Sequence, residues 1–163
     1  MKRLFLICLF FIIPARAWAM GDLLTATGAK TTVKRPAPDF TLEKVSGKSS
    51  NLTDARAGKK AIIFFWATWC PHCHEELGKL NAALSSVESK GIKVLLVDVG
   101  ESREEVSAYL EHAQIQLDSF LDEENALQDP YGLIGVPTVV FVDEQGLIKD
   151  TLYEFPADYE NHF

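Results

Sequence analysis

Cys70-Pro71-His72-Cys73-His74 is the stretch of this chain best equipped to act on another molecule. Two cysteines separated by two residues stand where an apolar run, Ala61-Ile62-Ile63-Phe64-Phe65-Trp66, gives way to an amphipathic helical pattern. A thiol at a helix start meets unpaired N–H groups and the positive end of the helix dipole. Both favour the thiolate, lower its pKa and make it a better nucleophile near neutral pH. Cys70, at the threshold, is expected to be the more exposed, lower-pKa thiol, with Cys73, one turn inside, as the resolving one. Attack by the Cys70 thiolate on a partner disulfide gives a mixed disulfide that Cys73 displaces. Run backwards, the pair oxidises a partner.

Other chemistries compete for these residues. The pentapeptide also spells the c-type haem attachment pattern. Such a haem commonly needs a second axial ligand, often Met, and downstream of residue 19 the only methionine is Met20. A zinc site needs a second ligand pair at a matched spacing, whereas only His72, His74, His112 and His162 could contribute. A purely structural disulfide would close so small a loop that it constrains the unfolded chain little. The expectation is therefore a redox dithiol with no metal and no cofactor beyond its own cysteines. His72 leaves the direction open, because an imidazolium beside the Cys70 sulfur stabilises the reduced form and makes the disulfide a stronger oxidant. Trp66 and Trp69 are expected to pack the sheet edge and shield the dithiol rather than bind a cofactor.

The elements that must position these residues follow from periodicity. Residues 61–66 lack polar alternation, as suits a central strand covered on both faces. Pro71 sits at the first helical position, where its missing N–H costs nothing, and Leu77, Leu80, Leu84 and Val87 recur on one face before Gly91 ends the helix. Residues 92–99 form a second apolar run. Ser102 with Glu105 marks a capping box ahead of Val106, Tyr109, Leu110 and Ala113 at helical spacing. A short strand is expected at 119–121 and a short helix at 123–128. Residues 139–142, the turn Asp143-Glu144-Gln145-Gly146 and residues 147–153 read as a hairpin, and 157–162 as a short last helix. Strands alternating with helices make the domain α/β.

The first 19 residues look like a secretory signal: Lys2 and Arg3, an apolar core at 4–13, then Ala17-Trp18-Ala19. An uncleaved anchor is the competing reading, although ten helical residues cover only about 15 Å, roughly half the hydrocarbon thickness. Cys8 lies inside that core and would leave with it. An export signal implies a compartment where disulfides form and persist. Loss of Lys2, Arg3 and Arg16, with no acids, takes the formal charge from −7 to −10, which argues against nucleic acid or an anionic membrane surface as partner. Residues 20–35 read as a linker and 36–163 as one domain.

Ala37-Pro38-Asp39-Phe40-Thr41-Leu42, Gly47-Lys48, Leu52-Thr53-Asp54, Gly58-Lys59, the run from Phe65 through Cys73, and Gly135-Val136-Pro137-Thr138 resemble the TlpA/ResA-type branch of the thioredoxin superfamily over about residues 36–153. The resemblance implies a thioredoxin fold, a central mixed sheet flanked by helices, with a short strand–helix insertion. It also implies export or membrane anchoring, and thiol–disulfide exchange. By the same resemblance Cys70 is the nucleophile, Cys73 the resolving thiol and Pro137 a cis-proline whose neighbour Val136 offers backbone hydrogen bonds to a bound peptide. Trp69, Pro71 and His72 complete the motif. Glu76 matches an acidic residue that the family places near its dithiol, with proton transfer to or from Cys73 as the implied role and a raised pKa as the corollary. An exposed first-turn carboxylate stabilised by the helix dipole is the plainer reading. Phe64 stands where thioredoxin itself carries a buried Asp.

The expectation is thus an exported or membrane-anchored, monomeric thiol:disulfide oxidoreductase acting in the periplasm or another extracytoplasmic space. Its expected partners are exported proteins with cysteine pairs, apocytochrome c among them, and a membrane-embedded thiol electron donor. A net oxidase of DsbA-like chemistry is one alternative. A redox-inert module holding peptides or a metallochaperone partner at Val136-Pro137 is another.

Overall fold

The computed structural model describes residues 35–163. The expected signal or anchor at 1–19 and the linker through residue 34 lie outside the described residues.

A six-stranded mixed sheet organises the domain. Its middle strand, β4 (Ala61–Trp66), follows β1 (Arg35–Pro36), β2 (Thr41–Glu43), β3 (Ser49–Asn51) and helix α1 (Leu52–Arg56). After α2 (Pro71–Ser89) come β5 (Lys93–Val99), α3 (Arg103–His112), β6 (Ser119–Asp122) and α4 (Gln128–Tyr131). The hairpin β7 (Thr138–Val142) and β8 (Leu147–Leu152) completes the sheet. The strand order is β1-β8-β7-β4-β5-β6, while β2 and β3 form a separate pair. β4 runs parallel to β5 and antiparallel to β7. All six β4 residues are buried because alternate side chains enter two different apolar layers. Ile62, Phe64 and Trp66 join Leu77 and Leu80 of α2 and Val106 and Leu110 of α3. Ile63 and Phe65 join Leu52 of α1 and Tyr131 of α4. This is a thioredoxin-like α/β fold, with α3 and β6 extending it on the β5 side before the chain returns to β7.

Local signals account for the main boundaries. Ser102 and Glu105 close the expected capping box, and Gly91, at φ +75°, follows the end of α2. The short helix expected at 123–128 begins instead at Gln128. Asp122 accepts the N–H groups of Ala126 and Leu127, so residues 123–127 wrap into turns around that carboxylate before the helix starts. At the C-terminal end the expected helix is a single 3₁₀ turn, Tyr159–His162. There Tyr159 stacks on Phe155, and both join the layer beneath α2.

Candidate active site

Cys70 is the N-cap of α2, in extended conformation, with Pro71 at the first helical position. Its Sγ accepts the N–H of Cys73 at 3.1 Å, so one of the helix's unpaired donors is aimed at the sulfur itself. The two cysteines are joined as a disulfide. Cys73 is fully buried and Cys70 slightly accessible, in the order that helix position predicts. Sheet register brings the second half of the site across: Thr138 of β7 pairs with Phe65 of β4, which sets residues 136–137 opposite the turn that leads into α2. The Val136–Pro137 peptide is cis, and the Val136 carbonyl oxygen lies 3.5 Å from Cys70 Sγ.

An open groove beside this point is lined by Trp69, Val99, Asn125, Leu133, Ile134 and Val136, among others. Trp69 is 66% exposed and Ile134 83%. Trp69 therefore does not pack the sheet edge; it stands beyond the end of β4, on the groove side. Trp66 does pack inside, with Nε1 donating to Ser119 Oγ. His72 is likewise at the surface, with Nδ1 3.7 Å from the Glu75 carboxylate. His74 turns the other way: its Nε2 lies 2.7 Å from the Thr68 carbonyl oxygen and its ring stacks on Tyr109.

Glu76 is the residue that the structure changes most. It is 1% exposed, not a surface first-turn carboxylate. Oε2 accepts the Phe155 N–H at 2.7 Å and Oε1 accepts Lys79 at 2.7 Å. Desolvation is the strongest single influence and pushes its pKa up. The bonds from Lys79 and Phe155, with the charges of Lys79 and His72, together outweigh it and hold the pKa below the ordinary carboxylate range. The raised pKa expected from burial beside a thiol is thus overturned, because hydrogen bonds to the charged form win.

A second acidic feature was not singled out from the sequence. Asp98 on β5 is completely buried, one strand over from Trp66, and Glu101 is nearly so. Glu101 donates its backbone N–H to Asp98 Oδ1 at 3.2 Å. Its carboxylate accepts both the N–H of Thr68, at 2.5 Å, and the Thr68 hydroxyl. Burial first, then the interaction with the Glu101 side-chain carboxyl and its charge, raise the Asp98 pKa to about 8, while the bond from the Glu101 backbone N–H acts in the opposite direction. The signal available in sequence was an Asp interrupting an otherwise apolar strand.

Among the described residues no group of three His, Cys, Asp or Glu side chains is arranged to hold a metal ion.

The AhpC/TSA family profile matches residues 33–151, most of the chain. The chain belongs to the AhpC/TSA family. Among its relatives is the thiol-disulfide oxidoreductase ResA of Geobacillus thermodenitrificans, 32% identical over 113 residues, 69% of this chain and 64% of that protein. The AhpC/TSA-family chain thus spans a little under two thirds of that relative's length. The thioredoxin-like protein YneN of Bacillus subtilis is 27% identical over 146 residues, 88% of this chain and 85% of that one. The solved structure of a thioredoxin-family thiol:disulfide interchange protein from Chlorobium tepidum superposes with a TM-score of 0.66 at 25% identity, covering 78% of this chain and 92% of that one.

Proposed function

We propose that this protein is an extracytoplasmic thiol:disulfide oxidoreductase that reduces or isomerises disulfides of exported proteins, with apocytochrome c cysteines as one substrate class. The observation that carries the reading is the meeting of Cys70 Sγ with the Val136 carbonyl beside an open, partly apolar groove. A peptide lying along residues 135–136 in extended form can pair with that backbone while its own disulfide approaches Cys70. The Cys70 thiolate attacks one substrate sulfur, the other leaves as a thiolate, and Cys73 then displaces the substrate from Cys70. The protein ends as the Cys70–Cys73 disulfide and the substrate as a dithiol. A membrane thiol donor returning two electrons completes the cycle.

Two features support reduction over net oxidation. His72 is half exposed and faces Glu75, so its positive field at Cys70 is screened by solvent and by a neighbouring anion. Glu76, one turn past Cys73 and buried, is held ionised, and the part of its negative charge that the Lys79 ion pair leaves uncompensated opposes a thiolate on that side of the helix and so favours the disulfide of this protein over its dithiol. Glu76 then acts as a fixed charge and acceptor, not as a proton reservoir.

The test is trapping in cells that express the full chain. Cys73→Ser is expected to accumulate mixed disulfides that dissolve on reduction, and Cys70→Ser to accumulate none. Trapping by Cys70→Ser alone would reverse the assignment, and a full-length protein whose disulfide cannot be reduced by any dithiol would leave the redox-inert binding module.

A further inference from the structure

We propose that Asp98 and Glu101 hold one proton between them, and that this shared proton positions Thr68 and, through it, the Cys70 end of the dithiol. The inference rests on the reading of Cys70 as the attacking thiol and adds two positioning residues that touch neither sulfur.

Geometry carries it. On β5, Val94 and Leu96 enter the apolar layer that contains Cys70 and Cys73, while Leu95 and Val97 enter the other; alternation therefore turns Asp98 toward the dithiol layer. Asp98 Oδ1 is bound by the Glu101 N–H, but Asp98 Oδ2 is buried and receives no N–H or O–H donor from the described residues. A buried carboxylate oxygen without a donor is costly, and it becomes tolerable when that oxygen carries a proton and the next acceptor is an anion. Glu101 is that anion. It receives two donors from Thr68, an arrangement suited to its ionised form. Thr68 is two residues before Cys70, its carbonyl is engaged by His74 of α2, and Cys70 N–H bonds back to the Ala67 carbonyl. One short segment, 67–70, is therefore held from the sheet side by the carboxyl pair and from the helix side by His74. The titratable groups facing the pair from α3 are Glu105, whose charge favours the proton on Asp98, and Tyr109, which packs on both Trp66 and His74. Trp66 of β4 and Ser119 of β6 are bound to each other and carry no charge.

When the shared proton leaves for solvent, two buried carboxylates stand side by side. Glu101 can lower that repulsion only by shifting, and Thr68 moves with it. The buried Asp98 is already pushed up to about 8, which puts the event within reach of neutral pH.

The oxidised full-length protein gives a clean test, because neither thiol titrates while they are paired. The carboxyl carbon signal of Asp98 and the amide signal of Thr68 are followed by NMR from about pH 5 to 10. Both are expected to move in one common step near the raised Asp98 pKa, and the Thr68 step is expected to vanish in Asp98→Asn, where any step due to His74 would persist. Separately, the rate of Cys70 attack on a model disulfide in the reduced protein is expected to fall below the thiolate fraction above that step, and to track it in Asp98→Asn. An Asp98 carboxyl that titrates below about pH 6, read in the wild type alone, overturns the proposal even if the variant does not fold. So does a Thr68 amide that ignores the Asp98 step. A common step in a protein that exchanges no disulfide would instead leave the positioning pair standing and sink the oxidoreductase reading.

Discussion

Asp98→Asn is expected to stabilise the protein, and increasingly so as pH rises. The folded protein holds a proton on Asp98 up to about pH 8, whereas an unfolded Asp loses it near its ordinary value of 3.8. Between those limits the folded state binds more protons than the unfolded state, so stability falls with rising pH. The slope is about 1.4 kcal/mol for each pH unit, and a window of roughly four units makes about 5–6 kcal/mol, an upper figure because Asp98 and Glu101 titrate as a pair. Asn is nearly isosteric, keeps an acceptor for the Glu101 N–H, offers an amide donor toward the Glu101 carboxylate, and has no proton to lose. Urea unfolding of both proteins at several pH values between about 4 and 9 gives two curves whose difference cancels every other titrating group. The difference is expected to be smallest near pH 4, to grow in favour of Asn through neutrality and to level off above the Asp98 pKa. For a domain of this size each kcal/mol corresponds to several degrees in Tm, so the effect is also visible by thermal melting. A difference that stays flat across this range, or one that grows in favour of the wild type, would refute the argument that Asp98 is protonated in the fold.

Glu76→Ala should destabilise by about 2–4 kcal/mol in chemical denaturation, chiefly because the buried Phe155 N–H loses its acceptor; the Lys79 contact adds little, since Lys79 is more than half exposed. Glu76→Gln, which keeps an acceptor for Phe155, should cost less. Because the Glu76 pKa is lowered in the fold, its contribution is present above the ordinary carboxylate value of 4.5 and is lost as pH falls through the folded value. The gap between wild type and Gln should therefore close in acid, and a gap that widens there would contradict the assigned direction. His72→Pro should lower the reduction potential of the Cys70/Cys73 couple by no more than about 30 mV, equivalent to roughly 1.4 kcal/mol for two electrons, given the exposure of His72 and its Glu75 neighbour. Equilibration with glutathione buffers measures it, and an increase would show that the imidazole does not stabilise the Cys70 thiolate.

Features legible in the sequence were those set by neighbours along the chain. Pro71 and the periodic leucines define α2 and put Cys70 at its threshold; Ser102 and Glu105 define the start of α3; the apolar run at 61–66 is a buried strand in any packing that has two layers. Resemblance added the Val136–Pro137 loop, whose placement against Cys70 rests on strand register between β4 and β7. Tertiary structure alone decided the charge states. Glu76 meets Phe155, 79 residues away, and keeps its charge. Asp98 meets Glu101 under a layer of side chains from α3 and β4, and keeps its proton. Both are buried acids on the same side of the sheet, yet they shift in opposite directions. Desolvation acts alike on both, so the outcome turns on whether the nearest partner is a donor or another carboxylate. That choice depends on which distant segments the fold brings together, which no local pattern encodes. Trp69 makes the same point for shape: as an aromatic residue it is expected to pack the sheet edge, but its place in the groove is fixed by where the sheet ends.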